Sequence, residues 1–378
     1  MQIDHAFPGG NILLEKIEGD DVTLRQDLRD TEGWWFYWCF RVRGAAGRTL
    51  HFHFPDTGEA WQSVIGVRGP AVSRDEGRHW NWLGRGSASD FSFTFGADDD
   101  AVRFSFAMPY QEDRLERFLD CHVGHPRLRR ERLCHSRKGR SVERLHLGCL
   151  HGAPRYRVAL TCRHHACEMM ASYSLEGLLE EILGDSEAGA WLGENVEFLA
   201  IPFVDKDGVE DGDQGKSRKP HDHALDYGEH RLYPETTALA AFLPEWSRGK
   251  LAIALDLHCP SIRGPFHEDL MSPDRLRDAG NWARTEDFFR VLEKVQQGPL
   301  IFRLADSQAF TTWTGPEGPK GPVAGLITTW VRTLPGLRFG TALEIPYANA
   351  GGKEVNQESA TAFGRDLARA LHRYLADG

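Results

Sequence analysis

At 378 residues, 41% of them hydrophobic and with a net charge of -10, the chain can bury a large core as one domain or two. The acidic balance argues against a general nucleic-acid or polyanion binder, although Arg127, Arg129, Arg130 and Arg132 crowd one segment. The seven cysteines are odd in number and form no C-x-x-C pair, which suits reduced thiols in the cytoplasm better than a disulfide framework. The opening MQIDHAFPGGNILLEK lacks the basic start and continuous apolar core of a secretion signal, and no apolar run is long enough to cross a bilayer. The expectation is a cytoplasmic protein with no membrane or nucleic-acid partner, its oligomeric state left open.

Residues 1–110 are short β-prone runs broken by Gly, Pro and Asp: WWFYWCFRV, RTLHFHF, SVIGVRG, HWNWL, DFSFTFGA and AVRFSFAM. Alternation in Phe91-Ser92-Phe93-Thr94-Phe95 and Leu50-His51-Phe52-His53-Phe54 sends successive side chains to opposite faces, as in an antiparallel β-sandwich. The aromatic run Trp34–Phe40 could stack on a ligand, but packing inside a small β domain is the commoner use of such residues. Residues 111–135 read as a linker with a helix over Glu112–Cys121, followed by an edge hairpin turning at Lys138-Gly139.

From 136 to 378 the texture changes to α/β. Val142–Leu150, Val158–Cys162, Val196–Val204, Leu251–Leu257, Pro299–Leu304 and Gly340–Ile345 are apolar runs of strand length, typical of a mixed, mostly parallel sheet buried on both faces. Helical patterns lie at Met169–Leu183, Pro234–Leu243, Thr285–Gln296 and Ser359–Ala376, the last with Phe363, Leu367, Leu371 and Leu375 in one stripe.

The strand ends carry the chemistry. After the first comes His165-x-x-Glu168, after the second Asp205-Lys206-Asp207-Gly208, at the third Asp256-Leu257-His258, and within the last Glu344-Ile345-Pro346. The crevice beyond the carboxyl ends of parallel strands is where open sheets bind ligands. His165, Glu168 and His258 would give one zinc ion three protein ligands and leave a position for water, as in catalytic rather than structural sites. Glu344 is then the candidate general base, and Asp256 could orient a ligand from behind. The competing use of Glu344 is a buried ion pair with an arginine, and that of His258 a satisfied core residue.

In order and spacing, R-x-H-x-x-E, then D-G-V with a downstream Arg, then D-L-H after a strand and E-x-P in the final strand, the chain resembles the zinc metallocarboxypeptidases, in particular the cytosolic carboxypeptidase-like branch. The G-N-I and W-W-F-Y-W segments are similar to the sandwich that precedes the catalytic domain in that branch. SRKGRSVERLHLG is similar to the first hairpin of that domain. The resemblance implies zinc on His165, Glu168 and His258, Glu344 as general base, and Arg218 as the residue that polarises the scissile carbonyl.

One part of the pattern is missing. The family's Asn-Arg pair, which grips the substrate's C-terminal carboxylate, is matched here by Ala224-Leu225, and neither side chain can make a charge-assisted fork. No tyrosine occurs between Tyr233 and Tyr347, where the family places one near the substrate. Carboxylate binding would then have moved to another cation such as Lys219, Arg231 or Arg263, or the substrate has changed. The expected function is zinc-dependent hydrolysis of a peptide or amide bond. The alternatives are an amidase or deacylase acting on a modified or non-peptide small substrate, and a non-catalytic interaction protein.

Overall fold

In the computed structural model, residues 1–55, 63–84, 87–264, 266–311 and 321–378 are described. Among the described residues the first third forms nine strands: β1 (Gln2–Asp4), β2 (Leu13–Glu18), β3 (Asp21–Arg25), β4 (Cys39–Arg43), β5 (Thr49–His53), β6 (Ala71–Ser73), β7 (Asn81–Trp82), β8 (Asp90–Thr94) and β9 (Ala101–Ser105). They make two sheets, in the orders β1-β4-β9-β6-β7 and β2-β3-β5-β8. The alternating Phe residues do what their period requires. Phe52 of β5 and Phe91 of β8 stack at 4.7 Å and meet Phe40 and Phe104 of the opposite sheet at 5.4–5.5 Å. The sandwich is not wholly antiparallel, because β3 runs parallel to β5. Strand β4 starts only at Cys39, and the SVIGVRG run forms no strand.

Helix α1 (Glu112–Cys121) leads into a six-stranded sheet ordered β10-β11-β13-β12-β14-β15: β10 (Leu128–His135), β11 (Ser141–Gly148), β12 (Tyr156–Cys162), β13 (Val196–Ile201), β14 (Leu251–His258) and β15 (Phe339–Glu344). The β10–β11 hairpin forms the antiparallel edge, and the other four strands run parallel to one another. Period-two burial serves both faces. On β12, Val158, Leu160 and Cys162 join the larger core while Ala159 joins a second cluster; on β13, Phe198 and Ala200 face one way and Leu199 and Ile201 the other. The larger core lies under α2 (Met169–Leu183), α3 (Glu187–Asn195), α6 (Ala279–Val295) and α9 (Gln357–Asp377). The second lies under α5 (Pro234–Ser247) and α8 (Ile327–Val331). Short helices α4 (Lys206–Asp211) and α7 (Leu304–Ala309) and a hairpin, β16 (Asn349–Ala350) with β17 (Lys353–Glu354), complete the chain.

Pro299–Leu304 is not a strand. Leu300 and Phe302 are buried, but the backbone of Phe302 pairs with the Gln296 side chain in both directions, at 2.9 and 3.1 Å, rather than with a sheet neighbour. Among the described residues no helix is long and apolar enough to cross a membrane, and all seven cysteines are unpaired.

The order of β13, β12, β14 and β15 fixes where a ligand can sit. From β12 the chain crosses to β13 on one side, while β14 and β15 lie on the other, so the topological switch lies beside β12, where a crevice opens past the strand ends. Cα pairing sets Cys162 opposite Leu257 and His258 opposite Glu344, so β12, β14 and β15 end on one rim.

Candidate metal centre and cavity

The turn after β12 is held rigidly. Arg163 has a left-handed φ of 61°, and its buried guanidinium donates to the carbonyls of Ala166 (3.0 Å) and Tyr110 (2.8 Å) and to Ser172 Oγ (3.1 Å). With the turn pinned, His164 is fully buried while His165 borders the cavity. His164 Nδ1 bonds Asp256 Oδ1 at 2.8 Å and its Nε2 bonds Tyr227 at 2.8 Å. His165 Nε2 donates to Asp222 Oδ1 (3.2 Å), leaving Nδ1 2.9 Å from Glu168 Oε1.

His258, the last residue of β14, repeats the arrangement. Its Nε2 donates to Asp256 Oδ2 at 2.5 Å, and its Nδ1 lies 2.8 Å from Glu168 Oε2 and 3.3 Å from His165 Nδ1. The ligand atoms of His165, Glu168 and His258 lie within 4.8 Å of one another. The carboxylates of Asp222 and Asp256 hold the Nε2 protons, so two Nδ1 atoms and a carboxylate converge on one point. Carboxylate-backed imidazoles of this kind are how proteins present histidine to a metal. A second group, His164, Asp256 and His258, is equally compact. There, however, both Asp256 oxygens already accept imidazole protons, and His164 does not border the cavity.

Electrostatics follow from this crowding. Burial disfavours a charged imidazole, but Asp222 and Glu168 outweigh it and raise His165 to about 9. His258 is pushed up for the same reason by Asp256 and Glu168. Burial opposes ionisation of Glu168, yet Lys216, His165 and His258 hold it well below the ordinary carboxylate range. Glu344 goes the other way: burial raises its pKa, and its Oε2 is buried with no hydrogen-bond partner among the described residues.

These groups floor a cavity of about 880 Å³, which His165, Glu168, His258 and Glu344 all border. Trp34 and Trp35 form part of its wall, whereas Phe36 to Phe40 are core; the aromatic run divides between the two uses open to it. Ala224 also borders the cavity. Asp222, which orients His165, caps the short turn His223–Leu225 by accepting from Ala224 N at 2.8 Å.

Arg218 is not brought to the cavity. Its guanidinium is taken up by Asp205 and by Asp213 (2.9 Å), with Asp30 at 3.7 Å. Lys216 does border the cavity: its Nζ is 2.5 Å from Glu168 Oε1 and donates to the Cys259 carbonyl at 2.8 Å. Lys219, Arg231 and Arg263 do not border the cavity; Arg263 instead donates to the Gly66 carbonyl at 2.9 Å. Sequence reasoning missed Lys216, Asp222 and Arg277, all of which border the cavity. The only cue was local, a cation two residues before Arg218 and an acid between two histidines.

The sheet order, with a crevice past the ends of its parallel strands, defines a carboxypeptidase-like α/β fold, and comparison with solved structures agrees. A metallo-carboxypeptidase from Burkholderia cenocepacia superposes with a TM-score of 0.80 at 18% identity, covering 100% of this chain and 99% of that one. One from Pseudomonas aeruginosa, in complex with (2-guanidinoethylmercapto)succinic acid, gives 0.76 at 19% identity with full coverage of both. The chain therefore has the metallocarboxypeptidase fold along its whole length. In sequence it is 29% identical over 128 residues to cytosolic carboxypeptidase 2 of Xenopus tropicalis, 32% of this chain and 13% of that protein. It is 23% identical over 215 residues to an uncharacterised protein of Zymomonas mobilis, 55% of this chain and 54% of that protein. The match thus spans about half or less of the curated relatives. No protein-family model matches the chain.

Proposed function

We propose that the chain is a zinc-dependent hydrolase of peptide or amide bonds, with His165, Glu168 and His258 as ligands and Glu344 as general base. The observation that carries this reading is the convergence of two Nδ1 atoms, 3.3 Å apart, on the Glu168 carboxylate, each imidazole backed by an aspartate on its other nitrogen. Two imidazoles, giving up their Nδ1 protons to a metal, and one carboxylate suit zinc and leave a coordination position open. Zinc, when bound, supplies Lewis acidity that brings the pKa of a water to about 7.

The rest is done by the chain's own groups. Glu344, on the same rim and with an oxygen lacking a partner, accepts the water's proton and returns it to the leaving nitrogen. Its raised pKa suits both halves of that exchange. Lys216 gives two of its three ammonium donors to Glu168 and the Cys259 carbonyl, and the third would meet negative charge developing on the carbonyl oxygen, the role the family pattern had suggested for Arg218. One such donor is typically worth about 3–4 kcal/mol in the transition state.

Peptides are the commonest substrates such a site would meet. The amide of a modified or small molecule is the second reading, favoured by Ala224, which borders the cavity where a carboxylate-gripping Asn would stand.

Protein purified without chelator should contain about one zinc per chain, measured by plasma mass spectrometry. Glu344→Gln should retain that zinc while hydrolysis falls by about 10²–10⁴. A protein that neither contains nor takes up zinc would overturn the proposal and favour an interaction role.

A further inference from the structure

We infer that a second cavity, separate from the candidate metal centre, is a binding site for a small anion of the phosphate class. Its volume is about 230 Å³, and it shares no bordering residue with the larger cavity. Its wall joins two parts of the chain: Arg78 and Arg103 belong to the sandwich segment, Arg114 and Arg117 to α1.

Arg103 is the reason to expect an anion. On β9 it stands opposite Arg41 of β4 on one side and Ser73 of β6 on the other, and like charges set opposite each other destabilise a sheet. Arg41 has its own acid, Asp4, at 2.6 Å. Arg103 has none: among the described residues its guanidinium makes no ion pair or hydrogen bond, and its Nε is buried without a partner. Both arginines instead approach the ring of Phe7, Arg103 at 4.3 Å and Arg41 at 5.2 Å. Burial works against the charge on Arg103, and Arg41 adds to that. A cation so placed is costly until something pairs with it, and a cation–π contact offsets only part of the cost.

The other cations indicate what kind of anion fits. The loop between β6 and β7 carries Arg78 and lies against Arg103, since a Cβ placed on Gly77 would be 3.1 Å from Arg103 Nη1. The loop is itself held, with Gly77 N donating to Ser73 Oγ and Trp80 Nε1 to the Gly77 carbonyl, each at 2.9 Å. Arg78 is exposed and has no ion pair among the described residues. On α1, Arg117 is taken by Asp113 at 2.7 Å, while Arg114 meets Glu176 through Nη2 at 2.7 Å and Nε at 3.3 Å, so its Nη1 is left without a carboxylate. Guanidinium donors therefore come from a strand, a loop and a helix. A tetrahedral oxyanion offers oxygens in that many directions, whereas a planar carboxylate offers two. Glu76 also borders the cavity and has no ion pair among the described residues; a phosphate that keeps one proton can donate to it.

The test is independent of hydrolysis. Sodium phosphate, glycerol 2-phosphate and sodium acetate are titrated calorimetrically into the chain as purified, at constant ionic strength, and melting temperatures are measured in the same salts. Phosphate or its ester should bind at least about tenfold more tightly than acetate and should raise the melting temperature by about 2–5 °C over chloride. Tighter binding of the ester identifies the ligand as a phosphorylated small molecule, and tighter binding of phosphate identifies it as the free ion. Arg103→Met should weaken phosphate binding about 10- to 100-fold with metal content unchanged. Arg78→Gln, at an exposed position the fold does not depend on, should weaken it about threefold and keeps the test decisive if Arg103→Met fails to fold. Acetate bound as tightly as phosphate, or no rise in melting temperature beyond that in chloride, would overturn the inference. So would phosphate affinity unchanged in the arginine variants, which would place the anion at the metal instead.

Discussion

Gly215→Ala is the substitution that most directly probes how the candidate centre is built. Gly215 has a φ of +76°, and a Cβ placed on it would lie 2.1 Å from the Ala166 amide nitrogen and 2.9–3.0 Å from the carbonyl carbon and Cα of His165. All three are backbone atoms, so no side-chain rotation relieves the contact. Nor can the loop recede easily. Asp30 accepts from the amides of Gln214 (3.0 Å) and Gly215 (2.9 Å) on one side, and the Gln214 carbonyl accepts from Cys167 N (3.1 Å) on the other. The left-handed conformation alone costs a non-glycine residue about 1–2 kcal/mol. Opening the contact to van der Waals distance adds an overpacking cost of about 1–3 kcal/mol. The expected loss of stability is therefore about 2–5 kcal/mol, read from urea denaturation midpoints at constant slope. Because two of the three crowded atoms belong to His165 and the third to the next residue, zinc affinity measured against a competing chelator should also fall, by about tenfold or more, since sites tolerate only about 0.5 Å of misplacement. Wild-type stability together with wild-type zinc affinity would refute the claim that this close approach positions the histidine.

Asp256→Asn should lower zinc affinity about 10- to 100-fold by weakening the hold on His258 Nε2, with far-UV circular dichroism unchanged; an unaltered affinity would count against Asp256 as the residue that orients His258. Glu235 at the start of α5 is buried with its Oε2 unpartnered, and burial, with Asp205 and Asp207 nearby, raises it to about 7. Its folded-state pKa exceeds the ordinary 4.5, so the stability it contributes is complete below about pH 4.5 and is lost as pH rises through 7. Glu235→Gln should therefore match wild type at pH 4 and exceed it by about 2–3 kcal/mol at pH 8 in paired denaturation curves. Gly177 lets α2 touch α9: a Cβ there would sit 1.9 Å from the Thr361 carbonyl oxygen, and Gly177→Ala should cost about 1–3 kcal/mol of stability, lowering the melting temperature while leaving zinc affinity within twofold.

The legibility of the chain follows the range of the forces involved. Met169–Leu183 and Glu112–Cys121 are helices at their expected bounds, because i, i+4 patterns are written locally. The strands ending at Cys162, His258 and Glu344 were legible because a strand covered on both faces has to be apolar throughout. Pro299–Leu304 shows the failure of the same signal. Its Leu300 and Phe302 are as buried as any strand residue, but burial says nothing of hydrogen-bond partners, and here a glutamine side chain supplies them. Strand β2 fails in the opposite sense, since all six of its residues are exposed and no hydrophobic period marks it.

The least legible feature is which cation faces Glu168, and part of its cause lies in the loops of the N-terminal segment. Arg218 and Lys216 sit two residues apart in one loop, and sequence alone ranks the arginine higher. The outcome is decided by Asp30, Asp205 and Asp213, which surround the arginine. Asp30 also caps the two amides before Lys216 and so sets the loop's path past the metal-binding turn. Asn11 adds to that hold by donating to the Gly212 carbonyl at 2.7 Å, and Tyr37 N by donating to the Gln214 side chain at 2.7 Å. The sandwich segment is thus part of how the site is built, since it contributes Trp34 and Trp35 to the cavity wall and determines that a lysine rather than an arginine faces Glu168. A truncation that kept only the six-stranded sheet and its helices would retain every proposed zinc ligand while losing the contacts that place Lys216.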